Sequence, residues 1–253
     1  MSGFAASVRK EWLEQWRSYR LLVSTIVLSL LGLMAPLTAR FTPELMKLLP
    51  NGEAIAKLLP PPTATDAVAQ YLKNISQLGL VLALLLTMGT VAREKDTGTA
   101  AMMLVKPLSR WSFLAAKFIV LAVTFAIGIT IAAAGAWYYT HLPFGPLDLT
   151  RWAALNALAL AFVVVQIAIT LFASVITRSQ AAAGGLAFGG LMLLALLGSL
   201  PGIGEYLPGR LLTWAATLMT GHPAAAWPAL GVSLAIVVVV LIGAKASLER
   251  QEL

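Results

Sequence analysis

Six nearly unbroken apolar stretches run along the chain: Leu21–Ala39, Leu72–Ala92, Phe113–Tyr139, Ala153–Thr177, Ala181–Leu200 and Pro228–Ala246. A helix needs about 20 mostly apolar residues to cross the hydrocarbon core of a bilayer, and each stretch meets or nearly meets that length. Spanning strands would alternate apolar and polar positions over about ten residues, whereas these runs are continuous. The pattern predicts an all-α polytopic membrane protein with six transmembrane helices. The third and fourth runs exceed the minimum, which implies tilt or an extension past the membrane.

Three segments between the spans carry patterns of their own. In residues 4–19, Phe4, Val8, Trp12 and Trp16 recur every fourth position. Arg9, Lys10, Glu14 and Arg17 are then free to turn to water. Tryptophan at headgroup depth with Lys and Arg on the wet side predicts an interfacial helix over residues 1–20, lying in the membrane plane. In the loop 40–71, Leu45–Pro50 and Ile55–Pro62 read as two short amphipathic helices, each stopped by proline. Residues 201–227 contain Pro201, Gly202, Gly204, Pro208, Gly209, Gly221 and Pro223 around an apolar Leu211–Met219. That is too broken for one span. It is either a re-entrant pair of short helices dipping from the outer side or an outer loop with one surface helix.

Composition narrows the class. Of 253 residues, 59% are hydrophobic and only 11% charged, against about 45–50% and 25% in soluble domains. Mean hydropathy is +0.84. A chain this poor in charge cannot coat a water-soluble fold. The net charge of +7 does not imply nucleic acid, because the cations sit at the ends of apolar runs and no basic patch with interleaved aromatics occurs. With no cysteine, thiolate metal sites, disulfides and thiol nucleophiles are excluded. The leader is too long and too mixed in charge, and the run after it too long, for a cleavable signal.

The Lys and Arg distribution sets an expected orientation. Arg9, Lys10, Arg17, Arg20, Arg93, Lys95, Lys106, Arg110, Lys117, Arg178, Lys245 and Arg250 fall on the side of the termini, against Arg40, Lys47, Lys57, Lys73, Arg151 and Arg210 opposite. Positive residues accumulate in the cytoplasm, so both termini are expected inside.

Signs of chemistry are few. The chain has no G-x-x-x-x-G-K-[ST] phosphate loop, no H-E-x-x-H and no G-x-S-x-G, so neither ATP hydrolysis nor catalysis is expected on it. His141 and His222 fall in outer-side loops and read as solvated residues rather than metal or haem ligands. No Asp, Glu, Lys or Arg lies in the centre of a span, which counts against an ion-driven carrier. Asn156, Gln166 and Gln77 are the mid-span polar groups and can cross-link helices. The fifth span holds Gly185-x-x-x-Gly189, a spacing that suits either a homodimer seam or close packing within the chain.

The most informative segment joins the second and third spans. It reads Arg93-Glu94-Lys95-Asp96-Thr97-Gly98-Thr99, then Ala100-Ala101-Met102-Met103-Leu104-Val105, then Lys106-Pro107-Leu108-Ser109-Arg110. Thr97 or Thr99 can cap a short helix, Gly98 permits the turn and Pro107 stops it. Its apolar face, with Met102 and Met103, would lie among charges unless a partner docked there, and methionine suits an adaptable docking surface. The order charged-Glu-x-x-x-Gly-Thr, apolar run, Pro-Leu-Ser-Arg and a Lys entering a span resembles the coupling-helix region of ABC-2-type permeases. It is most similar to the branch that includes the nitrous-oxide-reductase maturation permease.

That resemblance covers nearly the whole chain and implies a fold: an N-terminal interfacial helix, six spans and a re-entrant hairpin before the last. It implies a single permease domain over residues 1–253 that works with two copies of a separate ATPase subunit, on which ATP and Mg are bound. No cofactor belongs to this chain. The permease would pair with itself or with a similar chain in a prokaryotic inner membrane and, as the family mostly does, export its substrate. Glu94, Gly98, Thr99, Pro107, Ser109 and Arg110 match the family pattern. With Asp96, Met102 and Met103 they form the expected ATPase-contact region. The family's Leu-Glu after Gly-Thr is replaced here by Ala100-Ala101. A non-transporting membrane scaffold, or less readily a secondary carrier, is the alternative reading of the same topology.

Overall fold

The computed structural model describes residues 3–48, 53, 60–98, 109–220 and 224–251. The described residues form α1 (Gly3–Arg17), α2 (Arg20–Lys47), α3 (Ala64–Thr87), α4 (Ala92–Asp96), α5 (Arg110–Phe144) and α6 (Leu149–Ile176). There follow α7 (Gln180–Gly198), a 3-10 turn (Gly204–Tyr206), α8 (Gly209–Leu218) and α9 (Trp227–Glu249). Six helical stretches are long and apolar enough to cross a bilayer: α2, α3 with α4, α5, α6, α7 and α9. A helix satisfies its backbone internally, which is why apolar runs of this length take that form in lipid.

Polar side chains set where the helices begin. Thr63 and Asp66 form a reciprocal capping box at α3, the Thr63 N–H donating to Asp66 Oδ2 at 2.8 Å. Asp148 Oδ1 accepts from the Thr150 and Arg151 N–H groups at 2.8 and 3.1 Å at the start of α6. Between α1 and α2, Tyr19 takes a left-handed φ of 58°, which turns the chain sharply from one helix into the next.

The chain departs from the sequence reading after Ala39. Instead of a separate short helix from Leu45, α2 continues to Lys47 with Pro36 and Pro43 inside it. Its long packing face on α5 outweighs the two N–H groups that the prolines lack. Residues 55–59 of the second short helix expected there, and Pro50, lie outside the described residues, while Pro60, Pro61 and Pro62 are not helical. Residues 201–218 form the 3-10 turn and the ten-residue α8. The apolar face of α8 (Leu211, Trp214 and Ala215) is buried against α6 and α3.

The closest helix contact is α2 on α5. A Cβ placed on Gly32 would lie 2.7 Å from the Ala132 carbonyl oxygen, and one on Gly128 would lie 2.6 Å from Leu28 Cδ1. Small residues at a spacing of four on α5 (Gly128, Ala132, Ala136) therefore let the two backbones meet, as helix pairs in lipid require. α6 is the central helix, with 61% of its most apolar window buried against 22% for α7. A polar knot ties three helices near one end of the bundle. Tyr71 on α3 donates to Asn156 Oδ1 on α6 at 2.6 Å, Asn156 Nδ2 donates to the Trp152 carbonyl, and Trp152 Nε1 donates to the Ala133 carbonyl on α5. Asn156 thus cross-links helices, while Gln77 is exposed and Gln166 has no hydrogen-bond partner among the described residues. Each span also keeps exposed apolar residues, such as Leu22, Ile26 and Leu30 on α2 and Val238, Val239 and Ile242 on α9. Those faces suit lipid.

Candidate coupling site

The second membrane-crossing stretch is broken near its end, and the break is built by a residue from another helix. α3 ends at Thr87 and the helix resumes as α4 at Ala92. A new helix start leaves N–H groups without intrahelical partners. The Oγ of Ser174 on α6 accepts from the Val91 and Ala92 N–H groups, both at 3.0 Å, and donates to the Met88 carbonyl at 2.8 Å. Ser174 is completely buried, so water cannot substitute for it. In the sequence it is one serine in the apolar run Phe172-Ala173-Ser174-Val175, and nothing there marks it as the cap of a distant helix.

α4 projects Glu94 into a buried ion cluster. Lys117 Nζ on α5 lies 2.9 Å from Glu94 Oε1 and 3.0 Å from Glu11 Oε1. Lys10 Nζ bridges the same two carboxylates at 2.9 and 3.0 Å and reaches Glu14 at 3.5 Å. Arg20 stands 4.0 Å from Glu14. The Lys117 side chain is 1% exposed and also lies 4.9 Å from the centroid of the Phe113 ring, a cation–π distance. Buried charges persist only when paired in this way. Desolvation works against the Lys10 ammonium, but Glu11 and Glu94 together outweigh it and hold its pKa above the ordinary lysine value. Carboxylate oxygens of Glu11, Glu14 and Glu94 lie within 4.8 Å of one another. Among the described residues, Lys10, Lys117 and Arg20 stand against these three carboxylates.

The cluster corrects the reading of α1. Arg9 and Arg17 do face outward, but Lys10 turns into the cluster, and the buried face of α1 is the polar stripe Ser7, Glu11 and Gln15. Phe4, Leu13 and Trp16 are the exposed ones. The physical reason is Lys117: an ammonium several residues inside an apolar helix needs carboxylates, and α1 supplies Glu11. The spacing of four from Ser7 to Glu11 to Gln15 was the available signal.

Further hydrogen bonds anchor both flanks of the segment 93–110. Lys95 donates to the Val175 carbonyl and, at 3.3 Å, to that of Thr177, where α6 ends. Arg110 donates to the Leu248 carbonyl at the end of α9. Asp96 is exposed. Gly98 has φ 72° and its N–H reaches the Lys95 carbonyl, so glycine closes α4 where an L side chain would be strained. Thr97 closes α4, its Oγ1 donating to the Arg93 carbonyl at 3.0 Å. Ser109 caps α5, its Oγ accepting from the Ser112 N–H at 3.0 Å. Thr99, Met102, Met103 and Pro107, with the short helix expected over 98–106, lie outside the described residues. So does His222. His141 stacks on Trp137 with ring centroids 5.4 Å apart. On α7, a Cβ on Gly184 would press on Met88 Sδ at 2.8 Å, while one on Gly185 or Gly189 meets nothing within 4 Å.

Comparison with known proteins decides the family. The model of the ABC-2 family transporter protein matches residues 5–208. The chain belongs to the ABC-2 transporter family. Among curated proteins it is similar to "Uncharacterized transmembrane protein YxlG" of Bacillus subtilis (strain 168). The two are 31% identical over 195 residues, which cover 75% of this chain and 74% of the relative. The stretch matched as ABC-2 contains every residue of the ion cluster, Ser174 and the segment 93–110. It stops just before α8, so the last two helices of this ABC-2 membrane protein fall beyond it.

Proposed function

We propose that this ABC-2 family chain is the membrane-spanning permease subunit of an ATP-driven exporter, and that residues 93–110 receive the motion of a separate ATPase subunit. The observation that carries the reading is the anchoring of that segment's flanks. Glu94 is bound to α1 and α5, Lys95 to α6 and Arg110 to α9. A displacement applied to the segment would therefore be felt by four helices at once, as a rigid-body switch between inward- and outward-facing states requires. Two permease copies would pair along Gly185 and Gly189, where an added Cβ meets nothing within 4 Å among the described residues, above two ATPase subunits that carry ATP and Mg. The excess of Lys and Arg on the side of the termini supports a cytoplasmic location for both in a prokaryotic inner membrane. On that placement α1 lies in the interface and 201–227 dips from the outer side. Export follows from the habit of the family.

The test is affinity purification of the detergent-solubilised chain from its native membrane, with co-purifying proteins identified by mass spectrometry. It is repeated for Glu94→Ala and for Gly98→Pro, whose ring cannot adopt a positive φ. A phosphate-loop ATPase that accompanies the parent chain and is lost from variants that still fold supports the coupling role. A chain that purifies without any ATPase, under conditions that keep other membrane complexes intact, favours the scaffold reading.

A further inference from the structure

Gln166 sits near the middle of α6 and is 2% exposed. Neither its Oε1 nor its Nε2 has a hydrogen-bond partner among the described residues. A primary amide has two donor hydrogens and a two-lone-pair acceptor, and burying it unpaired opposes folding. Of the other amides, half-buried Asn74 donates to the Leu31 carbonyl and half-buried Asn156 is bonded on both sides, whereas buried Gln15 on α1 also has an Oε1 with no partner among the described residues.

The side chain forms part of the wall of a cavity of about 610 Å³ between α6, α7 and residues 199–213. That volume is within the usual range for small-molecule sites. Leu80, Phe162, Val165, Met192 and Leu194 make the wall around Gln166 apolar. Glu205 and Arg210 add one charge of each sign, so the cavity selects neither anions nor cations by net charge. α7 closes one side through Leu191, Met192 and Leu194. A largely apolar wall around one unpaired amide is matched by a molecule that is apolar along its length and carries one neutral group able to pair with that amide.

We propose that this cavity binds a neutral amphiphile from the bilayer, its chain along Leu80, Phe162 and Met192 and its amide, ester or hydroxyl group hydrogen-bonded to Gln166. The described lining residues all belong to one copy of the chain, and the proposal does not rest on the coupling reading.

The test uses the purified full-length chain in phosphatidylcholine nanodiscs and a fatty primary amide with a diazirine in its tail. After photolysis, labelled peptides are mapped by mass spectrometry. Labelling is expected at the lining residues, around Leu80, around Phe162 and within 191–213, displaced by unlabelled fatty amide and not by the alkane of equal length. Gln166→Leu should lower labelling about tenfold, equivalent to ~1.4 kcal/mol, and raise the thermal midpoint of the ligand-free chain, because it removes an unpaired amide. These opposite signs separate a binding role from a structural one. Gly198 also lines the cavity, and a Cβ there meets nothing within 4 Å. Gly198→Phe should therefore fill the space and abolish labelling with Gln166 intact, which decides the matter should Gln166→Leu fail to fold. Equal labelling by a diazirine alkane, labels mapping elsewhere, or folded Gln166→Leu and Gly198→Phe chains that label like the parent would each overturn the proposal.

Discussion

Replacing Lys117 by methionine isolates the energetic weight of the ion cluster. The substitution keeps much of the side chain's length and its apolar stem beside Phe113 while deleting the ammonium that lies 2.9 Å from Glu94 and 3.0 Å from Glu11. Both carboxylates are poorly solvated, their side chains being 14% and 8% exposed. Removing one partner of a buried pair costs about 3–5 kcal/mol because the remaining charge is stranded. Lys10 stays within 3.0 Å of both carboxylates, so the lower end, about 3 kcal/mol, is expected. For a chain of this size that is a fall of roughly 6–12 °C in thermal midpoint on the soluble-protein scale. It is measured by the monodisperse fraction recovered in detergent after heating. Adding only Glu11→Gln to Lys117→Met should recover most of the loss, since Lys10 and Arg20 then stand against Glu94 and Glu14. The pairwise terms follow from the mutant cycle. A Lys117→Met chain with the midpoint of the parent would refute the argument, because it would mean that the carboxylates are hydrated in place.

Ser174→Ala should leave the Val91 and Ala92 N–H groups buried without an acceptor and cost about 1–3 kcal/mol. Hydrogen exchange should then accelerate at residues 88–96 before the rest of the bundle. Two glycine classes should behave oppositely. Gly32→Val drives a side chain into the Ala132 carbonyl and should cost about 3 kcal/mol or abolish folding. Gly185→Val and Gly189→Val should leave the thermal midpoint of the single chain nearly unchanged and shift only its oligomeric state, read by mass photometry. Lys10, whose pKa is raised in the fold, contributes stability that is complete below its ordinary value of 10.5 and is lost only as pH rises through the higher, folded value. An alkaline series of thermal midpoints on the parent and on Lys10→Met should therefore differ by a constant amount up to about pH 10.5 and converge as pH rises further.

The apolar runs alone determined six spans and the helical class, because in lipid the backbone has few other ways to satisfy its hydrogen bonds. They also gave the break in the chain at 93–110, since charge density and glycine report locally on a helix end. Other features are properties of contact and had no local mark. Lys117 reads in sequence as an ordinary cation at a span entrance, and Glu11 as one more charge on an amphipathic leader. Only the packing of α1 on α5 makes them partners and turns the polar stripe of α1 inward. Ser174 caps a helix more than eighty residues earlier in the chain, and Pro43 stays inside α2 because α5 supports that helix. Asn156 and Gln166 look alike in sequence, two amides ten residues apart on one apolar helix. Tertiary structure alone gives one of them Tyr71 on another helix and leaves the other facing a cavity, because the interhelical partners of a polar group are set by which helices surround it and not by its neighbours in the chain.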